Sequence, residues 1–411
     1  MRPPPGGGAP ARVLLPGEEV LRGWYDHLHA HPELSGQEVQ TARWAAEVLA
    51  GAGMTVRTGV GGHGVVATVR RGSGPSVVLR AELDALPVRS LPDTHRDGYG
   101  VPVSHACGHD VHLTAVLGAA AALAGAPTAW RGTLAVVLQP AEETGTGARA
   151  MLADGLAGLL PDVSQVLALH TSALPTGMVT FRPGVMTRAG VDLKVVFEGE
   201  GGHAAFAGER DGPLDAAVAW AHSVRDGMEP GVDVTVGSLR SGHCANVVAD
   251  RAVVLVSLRA DLLESCREQV RRIRTRLHGL AGERGRSARV RVRGEFAPAV
   301  NGPTAGASVF EALRSAGEEV YLLRAPSRAC DDVGTLADGL GAELGYWFVG
   351  ANAPERFDAA DRGRVARGEQ PQRVAGNHAP GFSPDPRVLG VAARQLVLSA
   401  QRGLMAEGGQ A

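Results

Sequence analysis

Short apolar runs alternate with stretches of helical periodicity between residues 65 and 170, and that alternation restricts the fold more than any other feature. The runs at 65–70, 77–83, 134–138 and 163–170 are rich in Val, Leu and Ala and too short for helices. Residues 39–52 carry Val39, Trp44 and Leu49 at helical spacing, with a glycine near the end, and 109–124 and 147–154 also read as helices. Nearly all-apolar strands separated by helices predict an α/β fold, a mostly parallel mixed sheet flanked by helices. Open sheets of this kind place their sites at the carboxyl ends of the strands.

The pattern changes after about residue 187. Alternating runs at 191–197, 234–239, 247–258 and 288–293 frame helical stretches at 214–228 and 263–280, the second with a stripe of Cys266, Val270, Ile273 and Leu277. The β-α-β-β-α-β order predicts a small α+β, ferredoxin-like unit with two helices on one face of an antiparallel sheet. Strand and helix alternation resumes after Pro298, so this unit reads as an insertion. For 411 residues, two domains are the expectation. Residues 17–187 with 297–411 form the first, 188–296 form an inserted lid, and the Pro/Gly-rich 1–16 reads as a disordered leader.

Composition excludes several classes. A formal net charge of −2 gives no basic face for nucleic acid. The longest apolar stretch, at 115–126, is alanine-rich and too short to span a bilayer. The leader has no apolar segment of a signal peptide. Four scattered cysteines, Cys107, Cys244, Cys266 and Cys330, argue against a disulfide framework and for a reduced cytoplasm.

Residue types that bind metal cluster in three strings. His105, Cys107, His109 and His112 precede and open the 109–124 helix, Glu142 and Glu143 follow the 134–138 strand, and His170 closes the strand before it. His378 sits in a Pro/Gly turn ahead of the last helix. Thiolate, imidazole and carboxylate are the donors that zinc and manganese-like ions take. Two adjacent carboxylates after a buried strand repel each other unless something positive compensates, and a metal pair is the simplest compensation. One carboxylate can then bind metal while its neighbour stays free as a general base. His27, His29 and His31 lie far from these strings and read as a structural helix end. The glycines at 199, 201 and 202 lack phosphate-loop spacing and read as a turn.

Together the strings resemble the amidohydrolase branch of the co-catalytic two-metal aminoacylase and carboxypeptidase family, which includes hippurate hydrolases and indole-acetyl-amino-acid hydrolases. The resemblance runs from about Leu28 to about Leu396, through 29–35, 80–87, 105–112, 139–143, His170, 202–205, 246–248 and 377–380. It implies a zinc-exopeptidase-like fold and a metallo-amidohydrolase that cleaves an N-acyl-amino acid or similar small amide. Cys107, His109, Glu143, His170 and His378 would bind two divalent metals, zinc or manganese first, cobalt or nickel as alternatives. Glu142 would activate the water, and Asp84 would orient a ligand. His203 would reach the substrate carbonyl from a partner subunit, and Asn246 and Arg259, at the two ends of one strand, would grip the substrate carboxylate. A homodimer through the lid follows from the same resemblance.

Three departures bear on substrate choice. Glu82 stands where the branch usually has Asp, Asp331-Asp332 replaces a Glu-Asp pair, and in the run 204–213 Ala207, Gly208 and Gly212 stand where the branch has a Pro, a His and an Asp. Those changes leave room for a non-catalytic binding homologue, or for a dipeptidase or biosynthetic deacylase.

Overall fold

The computed structural model describes residues 13–90, 95–98, 100–206, 212–226, 228–281 and 287–405. Most of the expected leader, and 207–211 of the altered run after His203, lie outside the described residues.

Ten strands form the larger sheet. Its main path runs Thr55–Val60, Gly64–Arg71, Gly132–Gln139, Ser76–Glu82, Val163–Pro175, Glu343–Asn352, Val300–Asn301 and Gly184–Val185. The four strands from Gly132–Gln139 to Glu343–Asn352 are parallel, and the two before them pair antiparallel. Ser76–Glu82 is buried at every position because helices cover both faces. Alternate residues divide between two cores, as strand geometry requires. Val77, Leu79 and Ala81 face the helices Glu18–Ala30, His109–Ala124 and Arg387–Met405. Val78 faces Gly147–Ala153, Leu156–Leu159 and Val333–Leu340. His109–Ala124 is buried around nearly its whole circumference, which its alanines and Gly118 permit by keeping it thin. A Cβ at Gly118 would lie 2.8 Å from Leu21 Cδ2.

A second sheet has the order Asp233–Ser241, Arg251–Ala260, Ala189–Glu198, Ser287–Phe296, with every pairing antiparallel. Its core is its own: Val191, Leu193, Val254, Val256 and Leu258 pack against Trp220, Cys266, Val270, Ile273 and Leu277 of the helices Pro213–Ser223 and Leu263–Ala281. The chain leaves and re-enters the large sheet side by side, because Val300 pairs with Val185.

The run 247–258, read as one strand, is two. Val247–Val248 pairs with Gly202–His203, whereas Arg251–Ala260 pairs with Ala189–Glu198. Residues 199–201 separate the two partner strands and 249–250 separate the two strands opposite, so Asn246 does not share a strand with Arg259. The strand through His170 also continues to Pro175 instead of ending there. No described helix is long and apolar enough to cross a membrane.

Candidate metal centre

The parallel strands deliver the donors. Asp84 follows Ser76–Glu82, Glu142 and Glu143 follow Gly132–Gln139, and His170 lies within Val163–Pro175. Cys107 and His109 flank Gly108, which caps the His109–Ala124 helix in the left-handed region (φ 86°). A side chain there would be strained, and its Cβ would stand 2.4 Å from Thr171 Oγ1. His378 is brought in by its own backbone N–H, which donates to Ala106 O at 2.7 Å, and by Asn377 Nδ2, which donates to Cys107 O at 2.8 Å. Ala141 (φ 50°) and His378 (φ 68°) both hold left-handed conformations that cost non-glycine residues energy. Such strain concentrates at functional sites.

These residues, far apart in the chain, meet. Cys107 Sγ is 3.4 Å from His170 Nε2 and 3.1 Å from His378 Nε2. Glu143 Oε1 is 3.4 Å from His378 Nε2 and 3.8 Å from His109 Nε2, and Glu142 Oε2 is 3.8 Å from that same His109 nitrogen. Among the described residues five donor groups, each within 4.8 Å, overlap: Cys107, His109 and His170; Cys107, Glu143 and His378; His109, Glu142 and Glu143; and, through His109 and Glu142, Glu82 with His112 and Asp331 with Asp332.

The imidazoles are aimed by their outer nitrogens. His109 Nδ1 donates to Asp84 O at 2.8 Å and His170 Nδ1 donates to Thr171 O at 2.8 Å, and a carbonyl can only accept. With that nitrogen donating, the neutral form of each ring turns an Nε2 lone pair inward, the tautomer that ligates metal. Asp84 supports the loop as well, because its Oδ2 accepts from Glu143 N at 3.0 Å and from Ser35 Oγ at 2.7 Å. Its Oδ1 lies 3.4 Å from His109 Nδ1.

Electrostatics fit a cation. His109 Nε2 and Glu143 Oε1 are buried without a hydrogen-bond partner, and both belong to the donor groups above. Buried polar atoms are ordinarily paired, so two orphans facing one another suit a metal. Burial opposes the His109 imidazolium, but Asp84, Glu82 and Glu143 outweigh it and hold its pKa up at about 10. The cluster draws positive charge to that nitrogen. Burial raises the Glu142 carboxyl well above its ordinary range, with Asp331, Glu143 and Asp332 adding to it, whereas His378 and His109 pull Glu143 down against burial. Adjacent carboxyls pushed apart in this way are suited to different tasks.

Behind the donors lies a buried polar layer that the sequence reading did not assign. Arg80 meets Glu82, Asp331 and Asp332, and also Gln139 Oε1 at 2.9 Å. Thr171 N donates to His112 Nε2 at 2.8 Å, so His112 Nδ1 must donate to Glu82 Oε2, also at 2.8 Å. Glu82, the residue one methylene longer than its family counterpart, thus spans Arg80 and His112. An Arg and a Glu two apart inside an otherwise apolar strand were the available signal. His29, read as part of a helix end, does lie at the end of the Glu18–Ala30 helix, and the fold brings it to the 105–112 string, where it pairs with buried Asp110 at 2.7 Å.

The other three expected site residues lie outside the large sheet. His203, on the small two-stranded ladder, and Asn246, in the turn just before its other strand, are both exposed, and Ala204 N donates to Asn246 O at 3.0 Å. Arg259 is half-buried, 3.4 Å from Asp192 Oδ1 and 5.5 Å from the Phe296 ring centre. Among the described residues no hydrogen bond or ion pair joins these three to the Cys107 cluster.

The model of Peptidase family M20/M25/M40 matches residues 78–361. YhaA of Bacillus subtilis (strain 168) is 30% identical over 390 residues, 91% of this chain and 92% of that protein. IAA-amino acid hydrolase ILR1-like 4 of Arabidopsis thaliana is 35% identical over 254 residues, 60% of this chain, and the match spans only 57% of that relative. Among solved structures, the Bacillus subtilis YXEP protein, a dinuclear metal binding peptidase from the M20 family, superposes with a TM-score of 0.66. That match has 24% identity, covers 93% of this chain and 97% of that one, and speaks for the fold.

Proposed function

Because the chain belongs to peptidase family M20/M25/M40, we propose that it is a metal-dependent amidohydrolase cleaving an N-acyl-amino acid or similar small amide to a carboxylic acid and an amine. One observation carries this reading: five donors from four distant segments converge, and an additional carboxylate, Glu142, stands beside them. Cys107, His109, Glu143, His170 and His378 would hold two divalent ions, with zinc or manganese best suited to a mixed thiolate, imidazole and carboxylate set. Bound there, the ions would acidify water and polarise the amide carbonyl.

The chain's own groups do the rest. Glu142 takes the proton of the attacking water and delivers it to the departing amine nitrogen. Its burial keeps bulk water from competing for that proton. Asp84 fixes the His109 ring. The side chain of His378 is 54% exposed, so the cluster opens to solvent on that side for substrate entry.

Residues 188–296 act as a lid and dimerisation domain on the 17–187 and 297–411 catalytic unit. Arg259 and Asn246 bind the substrate carboxylate, the guanidinium giving direction as well as charge. His203, exposed in its own chain, serves the site of a second copy. A reducing cytoplasm keeps Cys107 available as a ligand.

The test is a hydrolysis panel of N-acyl-amino acids and dipeptides, run on the metal-loaded chain and on Glu142→Gln. Turnover should vanish with a chelator and return with Mn or Zn. Glu142→Gln should keep its metals and lose about a hundredfold or more in kcat, the range of a general base. Wild-type turnover by that variant would overturn the assignment.

A further inference from the structure

The segment Glu33–Glu38 reaches the residues on both sides of Glu142. Glu38 is fully buried. Its Oε1 accepts from Gly36 N at 2.9 Å and from Ala141 N at 2.8 Å, and its Oε2 is buried with no partner. Ala141 is the left-handed residue immediately before Glu142. On the other side, Glu143 N donates to Asp84 Oδ2, which Ser35 Oγ also holds. The peptide N–H groups flanking Glu142 are therefore both clamped by this one segment, one directly and one through Asp84.

The segment is itself anchored. Glu33 Oε2 accepts from Gln40 N at 2.9 Å and Thr41 N at 2.8 Å, and Ala85 N donates to Glu33 O at 2.7 Å. The loop that carries Glu142 is closed tightly from its far side, because Ala141 O accepts from Thr146 N, Gly147 N and Thr144 Oγ1. Such a loop can hold Ala141 in an unfavourable conformation only while its N–H has a fixed acceptor. Burying a carboxyl merely to cap Val39–Gly51 would be costly, since a cap is ordinarily solvated.

We propose that Glu38 is a positioning residue for the reaction: its carboxyl clamps Ala141 N and so fixes the direction in which Glu142 points. This rests on the assignment of Glu142 as the base. The geometric demand is steep, because misplacing a reacting group by about 1 Å costs on the order of a hundredfold in rate.

The test compares Glu38→Asp, Glu38→Gln and Glu142→Gln in the full-length, Mn-loaded chain, on the N-acyl-amino acid turned over fastest in the panel. Glu38→Asp shortens the arm by one methylene and withdraws the acceptor, so kcat should fall about tenfold or more while KM and metal content stay near wild type. Glu38→Gln keeps the acceptor and the volume, and its kcat should remain within about threefold. Hydrogen exchange of the 139–147 peptide in the metal-free chain should quicken in Glu38→Asp and not in Glu38→Gln. Wild-type kcat and exchange in Glu38→Asp, with Glu142→Gln inactive, would overturn the clamp alone. An equal loss in Glu38→Gln would also overturn it, whereas wild-type turnover in Glu142→Gln would bring down the base assignment beneath it.

Discussion

Replacing Arg80 by Met should destabilise the protein by an amount that depends on pH. Arg80 is 1% exposed, and its guanidinium is shared by Glu82, Asp331 and Asp332, all buried. Met keeps an apolar stem of similar reach and removes the charge. Breaking a buried pair by deleting one partner costs about 3–5 kcal/mol, and three stranded carboxylates place this case at the upper end. Against a typical total of about 5–15 kcal/mol, that is a third or more of the stability. The sign with pH follows from Glu82. Burial raises its pKa, but Arg80 and His112 overcome that and hold it well below the ordinary range. Its pairing thus contributes stability above the unfolded carboxyl pKa, and that contribution is lost as pH falls through the lower folded value. Without Arg80, burial and mutual repulsion would raise these carboxyls, as burial already pushes Asp332 up to about 7. They would then take up protons on mild acidification, so the penalty should shrink between about pH 8 and about pH 5.5. Urea titration of the metal-free chain, followed by fluorescence of the buried Trp347 and Trp130, measures both values. A loss below about 1 kcal/mol at the higher pH, or one that does not shrink at the lower, would refute the reasoning.

Burial, with Glu143 and Glu142, holds the Cys107 thiol well above its usual range, so metal uptake must expel its proton. Calorimetric titration with Zn in two buffers of different ionisation heat should report that release, and Cys107→Ser should release about one proton fewer. Glu82→Asp should lose reach to Arg80 or His112, and Asp331→Glu should overpack the Arg80 layer by a methylene, each costing about 1–3 kcal/mol. The double variant should recover part of both losses in a thermal melt, and strict additivity would exclude the coupling. Gly147→Ala would place a Cβ 1.6 Å from Pro140 O, a backbone clash in the loop that carries Glu142. It should cost about 3 kcal/mol or more and lower kcat, and an unchanged melting temperature would contradict the loop geometry.

What could be read from sequence divides by range of interaction. The His109–Ala124 helix has the expected bounds, because an apolar run of small residues before Gly125 carries its own start and stop. The Gly132–Gln139 strand is likewise local, since its burial on both faces leaves an unbroken apolar stretch. The extension of the next strand to Pro175 was not visible, because Thr171-Ser172 reads as loop. It is held instead by the neighbouring Glu343–Asn352, where Gly350 admits Pro175 O. The break after Val248 was hidden for a related reason: alternation continues across it, and only the choice of partner strand changes.

Charged residues show the same division in energetic terms. Cys107, His109 and the Glu142-Glu143 pair stand out because their types are uncommon beside apolar runs and share a chemistry, whereas His170 and His378 join them through the family resemblance. Glu38 carries no such label, since a glutamate before a helix is ordinarily solvated, and Arg80 is marked only by its place two before Glu82 in an apolar strand. Their burial follows from the strand order that brings Asp331, Asp332 and Ala141 to them. Taking an ion out of water costs several kcal/mol, so each buried charge must be matched by partners assembled only in the fold. The candidate donors can therefore be named one residue at a time, whereas the carboxyl that accepts from Ala141 N and the partners that surround Arg80 come together only once the sheet has formed.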